Sequence, residues 1–221
     1  MVGRAVGGMD LEHLRADYRQ SRLGSQDLLP CPFEQFSLWF EQAQAADLLE
    51  PNAMTLSTVD QGGQPSARVV LLKSFSSQGF VFYTNYNSRK AQAMAKNPQV
   101  AASFLWLPLQ RQVSLVGTVH KISRAQSAAY FSSRPRSSQI GAWVSPQSQE
   151  LRSRSELEHL QQEMEARFAE GPIPVPEHWG GYSIRPHRLE FWQGRPSRLH
   201  DRFVYLQSAN DTAWVARRLA P

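Results

Sequence analysis

Four stretches of this sequence gather cations and hydroxyls with few carboxylates among them. The most unusual is "EFWQGRPSRLHDRF", residues 190–203. Arg198, His200 and Arg202 fall at every second position, so in an extended strand they share one face, while Leu199, Asp201 and Phe203 share the other. Two guanidiniums and an imidazole on one face suit either plain solvation or something negative. "RVVLLK" puts Arg68 and Lys73 at the ends of four apolar residues, Val69, Val70, Leu71 and Leu72. In a regular strand these two cations face opposite sides and could serve two anions. A core strand whose charged ends reach solvent fits equally. In "YTNYNSRK" a strand ends after Tyr83 and Thr84, and a helix starts at Ser88, Arg89 and Lys90. Free N–H groups at a helix start favour phosphate, whereas cations there do not help the helix itself. "YFSSRPRSSQIGAWVSPQS" sets Tyr130 and Arg134 at i,i+4, followed by Pro135, Ser137 and Ser138. Phenol, guanidinium and hydroxyl are all phosphate donors; an ordinary exposed helix end accounts for the same residues.

The elements that must carry these residues can be placed from periodicity and breakers. A helix is expected over 10–22, capped by Asp10, and another over 32–50, with Pro32 in its first turn and Pro51 as its stop. Strands follow at 53–60, 66–75 and 80–85, separated by "QGGQ" and "SSQG". A short helix over 87–98 ends before Pro98, and strands at 99–107 and 111–122 come next. Ser123 and Gln126 form a capping-box pattern at the start of a helix that ends near Pro135. An amphipathic helix covers 153–170. Pro172, Pro174 and Pro176 make 171–181 an extended crossing, and strands are expected at 182–193, 198–207 and 213–219. Strands, a helical interlude, then more strands imply one antiparallel barrel with helices around it, an α+β domain over 10–221 behind a short tail at 1–9.

Bulk properties narrow the classes. The 221 residues are enough for one domain with a real core, and 41% hydrophobic and 10% aromatic content fit a globular chain. No apolar run reaches the roughly 18 residues that span a bilayer. A single cysteine, Cys31, excludes an internal disulfide framework and suits a reducing cytoplasm. Of 24 basic residues only Lys73, Lys90, Lys96 and Lys121 are lysines, and the net charge is +5. The cations are scattered rather than blocked, which argues against nucleic acid. They suit a general arginine bias or small phosphorylated ligands, which the guanidinium fork binds bidentately. No phosphate-binding glycine loop, dinucleotide fingerprint, metal-ligand cluster or nucleophile elbow is present, so no metal is expected.

In this order, "RVVLLK", "FYTN…SRK", "RQV", "YFSSRPRSSQIGAWVS.QS" and "EFWQG…RLHDRF" resemble the pyridoxamine/pyridoxine 5′-phosphate oxidase family, over roughly residues 10 to 221. The resemblance implies an FMN-binding split β-barrel, working as a homodimer with FMN at the subunit interface. It implies hydride transfer from pyridoxine or pyridoxamine 5′-phosphate to flavin N5, with O2 reoxidising the flavin to give H2O2. By the same resemblance FMN contacts fall on Arg68 to Lys73, Tyr83, Thr84, Arg89, Lys90, Gln112, Gln147, Ser148, Trp192 and Arg202. The substrate phosphate falls to Lys73, Tyr130, Arg134 and Ser138; Arg198 and His200 flank the ring, with His200 a candidate for handling a proton. Arg15 and Tyr18 close over the substrate. Asp17 stands where the family pattern suggests glutamate, and the "GRPS" turn before Arg198 is a second departure. A non-catalytic flavin or pyridoxal-phosphate binder, a nicotinamide-dependent flavin reductase and a nucleic-acid-binding barrel are the competing classes.

Overall fold

The computed structural model describes residues 17–18, 21–208 and 213–221. The tail at 1–9, Arg15 and most of the helix expected over 10–22 lie outside the described residues; Asp17, Tyr18, Ser21 and Arg22 are not helical.

Alternation along the strands builds the core. In β1 (Ala53–Val59), Met54, Leu56 and Thr58 point inward; in β5 (Gln99–Trp106), Val100, Ala102, Phe104 and Trp106 do; in β6 (Arg111–Lys121), Val113, Leu115 and Val119 do. The helix α1 (Pro32–Ala45) lays Phe33, Phe36, Trp39 and Ala43 against them at helical spacing. Phe36 meets Phe75, Phe80 and Phe104 at ring separations of 4.8, 4.9 and 5.1 Å, distances at which aromatic pairs attract beyond their buried area. α1 stops at Ala45, short of Pro51, because Asp47 takes a left-handed conformation (φ 51°) and begins a turn.

Among the described residues, nine strands form one antiparallel sheet. Its main path runs β2 (Pro65–Leu71), β1, β5, β6, β7 (Trp179–Gln193), β4 (Gly79–Asn85), β3 (Ser74–Ser76), with β8 (Asp201–Gln207) pairing β7 and β9 (Trp214–Leu219) pairing β8. The two outermost strands, β2 and β3, are neighbours in the chain. The sheet must therefore curl until its edges meet, which makes it a split barrel. This corrects the single strand expected over 66–75. Leu72 still donates to Asn52 O on the β1 side, while Lys73 donates to Val81 O on the β4 side, so the chain changes partners at 72–73. The parity that set Arg68 and Lys73 on opposite faces is lost at that crossing.

β6 bends at a register shift between Val116 and Gly117. A Cβ on Gly117 would lie 2.2 Å from Arg185 O, so only glycine fits there. A second small core, with Phe131, Ile140, Val144, Phe168, Ile173 and Trp179, is covered by α3 (Arg124–Ser133), α4 (Arg136–Val144) and α5 (Arg154–Arg167). The Ser123–Gln126 capping box forms as expected. Pro135 does break α3, but a new helix starts directly after it, so Ser137 and Ser138 lie in the first turn of α4 rather than in a loop.

The expectation for Arg198, His200 and Arg202 also needs correcting. Pro196–Arg198 is a 3-10 turn, and β8 starts only at Asp201. Ser197 and Arg198 are both left-handed, with φ of 56° and 63°. Consecutive left-handed residues without a glycine cost roughly 1–2 kcal/mol each. Arg202 alone of the three sits in a strand.

Candidate active site

A cavity of about 730 Å³ opens where the barrel is split. β2 supplies Arg68, Val69, Val70 and Leu71; the crossing supplies Lys73; the end of β4 supplies Tyr83, Thr84 and Asn85. The start of α2 (Arg89–Lys96) brings Arg89 and Lys90, α3 brings Tyr130, α4 brings Ser138, and Gln147, Ser148 and Trp179 complete the wall with Arg134. Arg68, Lys73, Arg89, Lys90 and Arg134 all line it, and among the described residues no carboxylate does.

Two of these cations, Lys90 and Arg68, are held by neutral oxygens. Lys90 Nζ is buried and donates to Thr84 Oγ1 at 3.0 Å, Gln147 Oε1 at 3.0 Å and Ser88 Oγ at 3.4 Å. Burial, and then the Arg68 guanidinium, lower its pKa from 10.5 to about 8. Arg68 donates to Leu56 O (3.1 Å), Thr58 Oγ1 (2.8 Å) and Ser66 Oγ (2.6 Å), and burial and then Arg89 lower it too. Ser88 caps α2, its Oγ accepting the Ala91 N–H, while the Arg89 N–H donates to Ser148 Oγ at 3.2 Å. Desolvated cations without counter-ions are costly unless an anion arrives.

The far wall is aromatic. Tyr83 stacks on Tyr130 at 4.0 Å and on Trp179 at 5.3 Å. Burial and then Tyr130 raise the Tyr83 phenol, which keeps it a donor. The Arg134 guanidinium lies over Trp179 at 4.8 Å, and its Nη1 is buried with no hydrogen-bond partner among the described residues. An unpartnered guanidinium nitrogen on a residue that lines the cavity together with Tyr130, Lys73 and Ser138 is suited to a phosphate oxygen. The residues present thus fit two phosphorylated molecules with planar rings.

The structure does not bring every expected site residue here. Leu72 turns into the core, and its N–H and C=O both bond Asn52. Gln112, Trp192, Arg198, His200 and Arg202 gather elsewhere, at the other end of β7. Trp179 opens that strand and Trp192 stands one residue before its end. The strand has 15 residues, roughly 50 Å if straight. At this second corner Trp192 lies 4.6 Å from the His200 ring, and Tyr18 lies edge-on to Trp192 at 5.8 Å and to His200 at 5.7 Å. Gln112 pairs in register with Trp192, as does Arg202. Arg202 bonds Glu190 Oε1 through Nε (2.8 Å) and Nη2 (2.7 Å), and Ala220 O through Nη1 (2.9 Å).

His200 Nδ1 accepts the Arg195 N–H at 3.1 Å. A backbone N–H can only donate, so Nδ1 is unprotonated and Nε2 carries the proton of the neutral ring. Burial and then the Arg198 charge lower the His200 pKa, which favours that neutral form. In this arrangement His200 is a hydrogen-bond donor at Nε2 and has no nitrogen available to take up a proton.

Residues not assigned a site role from the sequence include Asn85, Ser145, Gly141, Ala142 and Trp179 in the cavity, and Glu190, Arg195 and Asp201 at the corner, although the last three lie in the stretch 190–203 that the sequence singled out. Trp179 falls inside the crossing expected over 171–181, but the structure makes it the first residue of β7, three residues before the strand expected at 182; Asn85 acts through a bond to Ser145 O at 3.3 Å that only the fold creates. Among the described residues no cluster of His, Cys, Asp or Glu is placed to hold a metal, and no helix is long and apolar enough to cross a membrane.

Comparison with known proteins matches two successive parts of the chain to two family models. Residues 40–167 match "Pyridoxamine 5′-phosphate oxidase", and residues 179–221 match "Pyridoxine 5′-phosphate oxidase C-terminal dimerisation region". The chain is 55% identical over 214 residues to a pyridoxine/pyridoxamine 5′-phosphate oxidase of Crocosphaera subtropica, covering 96% of this chain and 100% of that one. It is 53% identical over 213 residues to one from Bordetella petrii, with the same coverages. Among solved structures, PhzG from Burkholderia lata, in complex with tetrahydrophenazine-1-carboxylic acid, superposes with a TM-score of 0.83 at 26% identity, covering 89% of this chain and 95% of that one. A pyridoxamine 5′-phosphate oxidase-related, FMN-binding protein of Nostoc punctiforme shares the fold at 15% identity, with a TM-score of 0.69 and coverages of 88% and 100%. With its split barrel, its anion-ready cavity and both family models matched in succession, the chain belongs to the pyridoxamine/pyridoxine 5′-phosphate oxidase family.

Proposed function

We propose that this chain oxidises pyridoxine 5′-phosphate and pyridoxamine 5′-phosphate to pyridoxal 5′-phosphate, with FMN as its cofactor and O2 as the final acceptor. The alcohol and O2 give the aldehyde and H2O2; the amine, with one water, also releases ammonia. The observation that carries this reading is the cavity that, among the described residues, is lined by five cations and no carboxylate, with Lys90 buried on neutral partners. Two phosphates, one per ligand, suit that excess.

Lys90, Arg68, Arg89 and Ser148 hold the FMN phosphate, with Thr84 and Gln147 orienting the lysine. Arg134, Tyr130, Ser138 and Lys73 hold the phosphate of the vitamin. When bound, FMN supplies the two-electron acceptor that O2 then restores. The chain's own residues bind and orient, since the difficult redox step belongs to the cofactor. Arg198 and His200 flank the pyridine ring, His200 donating from Nε2 to its polar edge.

That assignment needs both ends of β7 at one site. The match of 179–221 to a dimerisation region supports a homodimer, in which the same patch meets its own copy across a two-fold axis. In our reading the corner of the partner subunit, with Gln112, Trp192, Arg198, His200 and Arg202, completes the cavity of this one. The test is to purify the protein, load it with FMN and follow the flavin band near about 450 nm under anaerobic conditions. Pyridoxine 5′-phosphate should bleach it, and oxygen should restore it. A protein that takes up no FMN, or whose flavin is untouched by this substrate, sinks the reading.

A further inference from the structure

At the Trp192 corner the Asp201 carboxylate has three partners. Oδ2 accepts the Leu23 N–H at 3.1 Å and faces Arg195 Nε at 3.5 Å, while Oδ1 pairs with Arg218 Nη1 at 2.9 Å. Arg195 reaches the same N-terminal segment, Nη1 donating to Ser21 O at 3.0 Å, and its own N–H holds His200 Nδ1. The Arg195–Asp201 pair therefore grips residues 21–23 at both ends, and one of its members also sets the His200 ring. Tyr18 lies just upstream, edge-on to Trp192 and His200. Gly194 makes its seat: a Cβ there would lie 2.8 Å from Tyr18 Cγ.

We propose that Asp201 and Arg195 are positioning residues that clamp segment 21–23 so that Tyr18 is held against Trp192 and His200. The inference rests on the reading of Tyr18 and His200 as substrate contacts. Asp201 and Arg202 project from opposite faces of β8, so the clamp works without competing for the Arg202 guanidinium. The Asp201 side chain is 17% exposed, which shields the pair from solvent more than an ordinary surface ion pair. Leu23 is buried in the core and anchors the segment; the polar clamp fixes the direction in which the chain leaves that anchor.

The test uses FMN-loaded protein with Asp201→Ala, Asp201→Asn, Tyr18→Ala and the Asp201→Ala/Tyr18→Ala double variant. Asp201→Ala should raise KM for pyridoxine 5′-phosphate about tenfold, the scale of one charge-assisted hydrogen bond. kcat and FMN affinity should stay within about twofold, because Asp201 touches neither ligand. Asp201→Asn keeps an acceptor for the Leu23 N–H, should recover part of the loss, and carries the test if Asp201→Ala does not fold. In the Tyr18→Ala background, removing Asp201 should add less than about twofold, because both changes act through one ring. Amide exchange at Leu23 and Gly24 should quicken in Asp201→Ala while exchange along β7 stays unchanged. Two independent losses that multiply, or unaltered exchange at Leu23, would overturn the clamp. Failure of the wild type to turn over this substrate would instead overturn the proposed function, and the exchange measurement would still decide the clamp.

Discussion

At the Trp179 end of β7, Lys90 and Arg68 are held by hydroxyl, amide and carbonyl oxygens; at the Trp192 end, Arg202 lies against Glu190, and Arg195 and Arg218 lie against Asp201. The two corners are about equally rich in guanidiniums and differ in what neutralises them. Neutral partners orient a cation and leave its charge for a ligand. Carboxylates fix a cation in place and quench its field. The cavity is thus an anion site, while at the second corner much of the positive charge serves to hold a shape. Cation count alone, which drew attention to both stretches, does not separate these roles; the counter-ions do.

The comparison can be broken most directly at Lys90. Lys90→Met should weaken FMN binding by about 10–100-fold, since charged hydrogen bonds contribute roughly 1.5–3 kcal/mol each and about 1.4 kcal/mol is tenfold. Replacing a buried cation that lacks a counter-ion by an apolar side chain should leave the ligand-free protein as stable as before, or more so. Fluorescence titration with FMN and a melting curve of the apoprotein check both halves. A variant that binds FMN normally, or whose apoprotein melts well below the wild type, contradicts the cavity's role.

Arg134→Gln should spare FMN and raise KM for either substrate about tenfold, because Arg134 Nη1 is the buried donor with no partner of its own. Steady-state kinetics with saturating FMN separate the two sites. Equal loss of FMN and substrate affinity would mean that one phosphate site, not two, fills the cavity.

How much of this was legible in the sequence depends on the range of the forces involved. Lys73, Tyr130, Arg134 and Ser138 are the substrate-phosphate residues that the family resemblance implies, and all four line the cavity. Local order alone marks Tyr130, Arg134 and Ser138 as donors around a helix break; Lys73 joins them only through the resemblance. The strand pattern was likewise readable from two-residue alternation, and the Ser123–Gln126 box from its spacing. What failed was parity. Nothing in "RVVLLKSF" marks the crossing at Leu72 and Lys73, because Asn52 and Val81, which draw it in opposite directions, lie elsewhere in the chain. Nothing in "RPSR" announces two left-handed residues, since neither Ser197 nor Arg198 is a glycine or asparagine. That turn is held by contacts with Ser21, His200 and Asp201 that exist only after folding. Arg15, expected beside Tyr18, lies outside the described residues.

pH offers a gentler probe of the unpaired cations. Burial and then Arg68 hold the folded Lys90 pKa near about 8, against 10.5 in its ordinary state. Between these values the unfolded chain holds more protons than the folded one, so the apoprotein should gain stability as pH rises through this window. A bound phosphate favours the ammonium. FMN binding above about pH 8 should therefore take up a proton, and affinity should fall as pH rises, by up to tenfold per unit. Calorimetry in buffers of different ionisation enthalpy measures that proton. No uptake at pH 8.5 would mean that Lys90 is not against the anion.

The smallest expected effect lies at the other corner. His200 is kept below its usual pKa first by burial and second by Arg198. Its Nδ1 is also committed to the Arg195 N–H, so protonation there must displace a bond that the turn supplies. Removing the Arg198 charge takes away the second of these two causes and leaves the burial in place. Arg198→Gln should raise the His200 pKa, because the neighbouring positive charge disfavours the imidazolium. Proton NMR titration of the six histidines, with His200→Gln to assign the resonance, reads this without relying on turnover. A downward shift, or none, would mean that the Arg198 charge is already quenched, and the corner would then have no unpaired cation of its own to offer a ligand.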